Sequence, residues 1–142
     1  MATTVNNTTV NSRITVIFDA AGSLNGNGPA KGTGNTESDV YLDDEVYHNL
    51  RSHTEIDANV HALQWDATTN TGEIEYTDNR DNLQITSIPQ WTTNVVIRCE
   101  AEDTWKTALE NAMAGDADSQ ENATTTANTA RDNYLSAHSI TY

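Results

Sequence analysis

A Gly-rich stretch from Gly22 to Gly34 follows a strand-like run and is the natural place to look for a phosphate cradle. Its Lys31 precedes Gly32, whereas a phosphate-binding loop needs Gly-Lys-Ser/Thr opening an apolar helix. A flexible connector is the better reading, since Gly and Asn favour loops for conformational reasons alone. Oxygen ligands of the calcium type gather at Asp43-Asp44-Glu45 and at Asp116, Asp118 and Glu121. Neither group has EF-hand spacing with its central glycine and terminal glutamate. In a chain with 21 acidic residues such groupings arise by chance, and a solvated surface explains them. His48, His53, His61 and His138 form no HxxxH pattern, and one cysteine cannot form CxxC, so no metal site and no cofactor is expected. His61 alternates with Leu63 and Trp65 and reads as a partly buried sheet residue.

Nucleophilic catalysis needs a nucleophile, a base and an orienting group brought together. No GxSxG signature is present, and Cys99 lies on an apolar stripe where it reads as a small core residue. No catalytic residue is assigned and no enzymatic role is expected. Trp65, Trp91 and Trp105 fall where the pattern changes regime, and are expected to hold sheet to helix; sugar stacking is the competing use of such rings.

The supply of apolar material limits what can position these residues. Val, Ile, Leu and Phe supply 24 of 142 residues, while Thr and Asn contribute 22 and 16, and the formal net charge is -14. That is the size of one domain with a small core, in the compositional range where neighbours help complete burial. No run approaches the ~18 apolar residues of a membrane span. A surface of this sign repels nucleic acid phosphates, so neither a membrane nor a nucleic acid partner is expected. Cys99 alone forbids an internal disulfide and fits synthesis in a reducing compartment. The opening MATTVNNTTVNSR has neither a basic nor an apolar leader region, so the Asn-x-Ser/Thr triplets at Asn6, Asn7 and Asn122 are read as chance.

Periodicity divides the chain into three regions: residues 1–36, an N-terminal strand and Gly-rich arm; 37–90, a central antiparallel β domain; and 91–142, a helical C-terminal region. Ile14, Val16 and Phe18 alternate with Arg13, Thr15 and Ile17, a strand signal. Residues 40–50 read as a short strand followed by a helical turn, with Asp43 as N-cap and Val46, Tyr47 and Leu50 at helical spacing. Residues 59–88 contain three short alternating runs joined by turn residues, a β-meander with one solvated face. Val95, Cys99, Trp105, Leu109 and Met113 form a rough helical stripe, secure from about Glu100 to Met113. The β-branched Val95-Val96-Ile97 leaves 92–98 open between strand and helix. Residues 116–133 have no large apolar side chain and read as a solvated or partner-dependent helix. The fold class is α+β.

The segment VHALQWDATTNTGEIEYTDNRDNLQITSIPQW, with its V-H-A-L-Q-W run, G-x-I-E-Y run and I-T-S-I-P-x-W close, resembles a segment of small tail-associated proteins of bacteriophages. In those proteins a helical region rich in Ala and acidic residues follows, and the similarity covers about residues 58–110. Arg131 to Leu135 is similar to the Arg-x-x-x-Leu ending of phage tail fibre and tail assembly proteins, although Ser136-Ala137-His138 stands where an Asp-Trp pair usually follows. The resemblance implies a virion structural protein of the tail or head–tail junction, made in the host cytoplasm and acting through contacts with other virion proteins and copies of itself. A tail assembly chaperone absent from the mature particle, or a capsid decoration or receptor-contacting protein, would carry the same signature. On this reading the arm and the C-terminal segment order on neighbours. Val5, Val10, Leu24, Leu135, Ile140 and Tyr142 are the expected anchors, and the acidic body keeps free subunits apart.

Overall fold

The strand-like alternation at Arg13–Phe18 (β3) buries Ile14, Val16 and Phe18 and turns Arg13, Thr15 and Ile17 outward. The computed structural model describes residues 2–18, 37–51, 56–57, 59–76, 79–115 and 120–142. Ahead of β3, Thr3–Val5 (β1) and Thr8–Val10 (β2) pair as a separate two-stranded ribbon. After it come Glu37–Leu42 (β4), Glu45–Arg51 (β5), Val60–Asp66 (β6), Thr71–Tyr76 (β7) and Leu83–Ile85 (β8). Two helices follow, Gln90–Gly115 (α1) and Gln120–Ala137 (α2), and the α+β class read from the sequence is the class observed.

The six longer-range strands form one antiparallel sheet in the order β5-β4-β3-β6-β7-β8. β6 returns beside β3 after the β3-β4-β5 run, a Greek-key step that leads into the β6-β7-β8 meander. The strand read as part of an N-terminal arm is therefore a central strand, flanked by β4 and β6. Register places Val40, Leu42, Leu63, Trp65 and Ile74 on the same face as Ile14 and Val16, and all are buried. The opposite face carries Thr15, Gln64, Glu73 and Gln84 in one row, the solvated side of a half-buried sheet.

The expected helical turn after residue 43 is instead strand β5. Asp43 adopts φ 55 in a two-residue turn between Leu42 and Glu45, a left-handed position that Asp tolerates better than most residues. A register shift between Ser38 and Val40 sets Asp39 against two residues, His48 and Asn49, of β5. That bulge keeps Tyr47 and Leu50, three residues apart, both on the buried face, which counterfeits helical spacing. The open segment 92–98 is helix. Thr92, Val95, Val96, Ile97, Arg98 and Cys99 are all buried, so the β-branched cluster reflects helix burial on every side rather than a strand.

Contacts divide the chain into Met1–Val96 and Ile97–Tyr142. In the second unit Ile97 and Ala101 of α1 meet Leu135 and Ile140, with Tyr134 packed against them. α2 ends in a Schellman closure: Ile140 N–H donates to Leu135 O at 2.9 Å, Ser139 N–H donates to Ser136 O, and Ser139 takes φ 60. The accompanying apolar contact, Leu135 with Ile140, is half of that small core. Helix α2 covers most of the segment read as solvated or partner-dependent, and its Ala123 and Ala127 are buried.

Candidate functional site

The ionisable groups singled out in the sequence do not converge among the described residues. Among the described residues no group of three or more His, Cys, Asp or Glu is placed to hold a metal ion. Asp43 is committed to the backbone: its carboxylate accepts N–H groups from Asn11 at 2.8 Å, Ser12 at 2.7 Å and Arg13 at 3.1 Å. Its own N–H donates to Arg13 O, so the β4–β5 turn clamps the chain between β2 and β3. The Asn11 hydrogen bond is the main reason the Asp43 carboxyl sits below the usual aspartate range; desolvation opposes it, and the Ser12 and Arg13 bonds add to it. Glu45 accepts the Tyr47 hydroxyl at 2.9 Å. Asp116 and Asp118 lie outside the described residues, as do His53, Leu24 and the Gly-rich loop.

His48 is exposed, with Nδ1 3.5 Å from Asp39. His61 is half-buried on β6, as the alternation predicts. His138 Nδ1 lies 2.9 Å from Tyr134 O, where it donates, and its ring rests 4.8 Å from that of Tyr134. Cys99 is fully buried and its thiol is pushed well up, first by desolvation and then by the charges of Asp103, Glu100 and Glu102. A thiol held protonated in this way is a poor nucleophile.

The three tryptophans are structural ties within their own units. Trp65 is buried, and its Nε1 donates to Thr3 Oγ1 at 3.0 Å; Thr3 Oγ1 in turn donates to Asn70 Oδ1 at 3.0 Å. The indole lies over Gly72, where a Cβ would come within 2.8 Å of the ring and 2.6 Å of Gln64 O. Trp91, half-buried, meets Phe18 with ring centroids 5.7 Å apart. Trp105 Nε1 donates to Asn128 Oδ1 at 2.8 Å.

The expected anchors separate into two groups. Val5, Val10, Leu135 and Ile140 are buried by this chain, so in this conformation they are closed to a neighbour, a correction to their reading as free anchors. Leu135 and Ile140 are spent on the α2 closure. Tyr142 remains partly exposed, with Arg131 over its ring at 3.5 Å, while Arg98 Nη2 donates to Thr141 O at 2.7 Å.

Other apolar side chains reach solvent instead: Ile17, Val46, Leu83 and Met113. The alternation of β3 already sets Ile17 on the outer face, whereas Val46 and Met113 sit in patterns that read as inward-facing helix and Leu83 in a strand that reads as half-buried. A shallow depression of about 400 Å³ runs along α1, lined by Asp103, Thr104, Thr107, Ala108 and Asn111. No helix among the described residues is long and apolar enough to cross a membrane.

The two sheet edges differ. β5 is guarded by its bulge, by Asn49 at φ 55 with its N–H donating to Asp39 Oδ1 at 3.0 Å, and by Glu45 and Arg51. β8 has three residues, Leu83, Gln84 and Ile85, and no charge. Leu83 is 49% exposed although register places it on the face of buried Ile74. No family model, curated protein or solved structure matches this chain.

Proposed function

We propose that this chain is a bacteriophage virion structural protein of the tail or head–tail junction, acting through protein–protein contacts during particle assembly, with no catalytic step of its own. The observation that carries the reading is where the chemistry-bearing side chains are used. Asp43 ties the β4–β5 turn to the chain before β3, Trp65 ties β6 to β1, Trp91 meets Phe18 of β3, Trp105 ties α1 to α2, and Arg131 of α2 covers the Tyr142 ring. The surface that is left carries the acidic excess and a few exposed apolar side chains, including Val46 and Leu83 on the two edge strands. That is the disposition of a part that fits against other parts. The segment resemblance from Val60 to Trp91 supplies the setting, and the acidic excess keeps unassembled copies apart in dilute solution.

Mass spectrometry of gradient-purified particles of the virus encoding this chain tests the proposal. The chain is expected in the particles at a reproducible copy number. Abundance in the infected-cell lysate with absence from particles would assign it instead to tail assembly as a chaperone.

A further inference from the structure

An open sheet edge has one kind of ligand, because its unpaired N–H and C=O groups match another extended strand. The β5 edge carries the bulge, left-handed residue and charges that natural sheets use to refuse such a partner. The β8 edge carries none of these. In a chain of net charge -14 it is a neutral strand, and its Leu83 is half uncovered on the side where Ile74 and Leu63 are buried.

The sequence around β8 is also complementary to itself. Turned antiparallel about Gln84, the strand Leu83-Gln84-Ile85 sets Leu83 against Ile85 of a second copy and Gln84 against Gln84. No like charges face each other across the pair, and the apolar side chains lie on the face where Leu83 lacks cover. Cross-strand pairs of this kind are the unit of sheet stabilisation.

We infer that the β8 edge pairs antiparallel with the β8 edge of a second copy of this chain, joining two six-stranded sheets into one continuous sheet. The contact is narrow, so it belongs to the weak class that forms at high local concentration, as subunits meet on an assembly. This deepens the assembly reading and rests on it only for its setting. Pairing is read on the isolated chain and particle incorporation on virions, so either can fail alone.

Sedimentation equilibrium of the full chain across a concentration series tests it. The weight-average mass is expected to rise from 15.5 kDa toward twice that value, with amides of Leu83–Ile85 gaining protection as concentration rises. Leu83→Lys puts a charge on the apolar side of the edge and is expected to abolish the rise. Gln84→Lys, a solvent-facing change that retains a favourable neighbour in Glu73, sets like charges opposite each other and is expected to shift the midpoint at least tenfold upward. It keeps the test decisive should Leu83→Lys fail to fold. Val46→Lys on β5 is expected to leave the rise in place. A mass fixed at 15.5 kDa up to the solubility limit overturns the inference, as does a rise that both β8 variants preserve or that only Val46→Lys removes.

Discussion

The sheet unit and the helical unit solve the same shortage of apolar residues in opposite ways. Up to Val96 the interior is filled by large side chains on alternating strand positions, among them Phe18, Ile14, Leu63 and Val40, all nearly inaccessible. From Ile97 onward the buried apolar set is small among the described residues: Ile97, Ala101, Ala123, Ala127, Leu135 and Ile140, with Cys99. Polar ties supplement it, with Trp105 donating to Asn128 and the Tyr134 hydroxyl donating to Glu100 at 2.8 Å. A low count of large hydrophobes therefore does not mean a missing interior. It means one region built by filling and another built by close approach of small residues.

The two constructions should break under opposite substitutions. Phe18→Ala, which empties the sheet interior beside Trp91, is expected to cost about 3–5 kcal/mol in urea denaturation. In the helical unit enlargement does the damage: Ala127 is fully buried, so Ala127→Leu is expected to cost about 1–3 kcal/mol by overpacking. If the leucine is accommodated without loss, close approach of small residues is not what holds α2.

Asp43→Asn tests the clamp between the β4–β5 turn and the chain at Asn11–Arg13, with an expected loss of about 1 kcal/mol, the difference between hydrogen bonds to a charged and to a neutral acceptor. The folded carboxyl lies below its unfolded value, so its contribution is fully present above about pH 4 and is lost as pH falls through the lower folded value. The gap between wild type and Asp43→Asn should thus be wide at neutral pH and close in strong acid, as read from paired denaturation curves. The smallest effect belongs to the exposed end of the helical unit. Tyr142→Ala removes the ring beneath Arg131 and is expected to cost only about 0.5–1 kcal/mol.

Local patterns were readable where the interaction partner is near in sequence. The alternation of β3 and the β6-β7-β8 meander follow from period-two burial and turn residues alone. β5 was hidden because its bulge spaces Tyr47 and Leu50 like helix neighbours, and the start of α1 because burial on all sides selects β-branched residues there. The β1–β2 ribbon is encoded by a short repeat: Thr-Thr-Val-Asn occurs at residues 3–6 and again at 8–11, and the two copies pair across the turn at Asn6-Asn7. The role of Asp43 was illegible because its partners lie about thirty residues away in sequence. The β8 edge was equally hidden, since a strand becomes an edge only through the order of the whole sheet.

Native-state hydrogen exchange on the isolated chain tests the contrast between the two units most directly. The slowest amides are expected in β3, β4 and β6, which pair on both sides, and those of α2 should exchange markedly faster through local opening. Protection of α2 equal to that of β3 would contradict it.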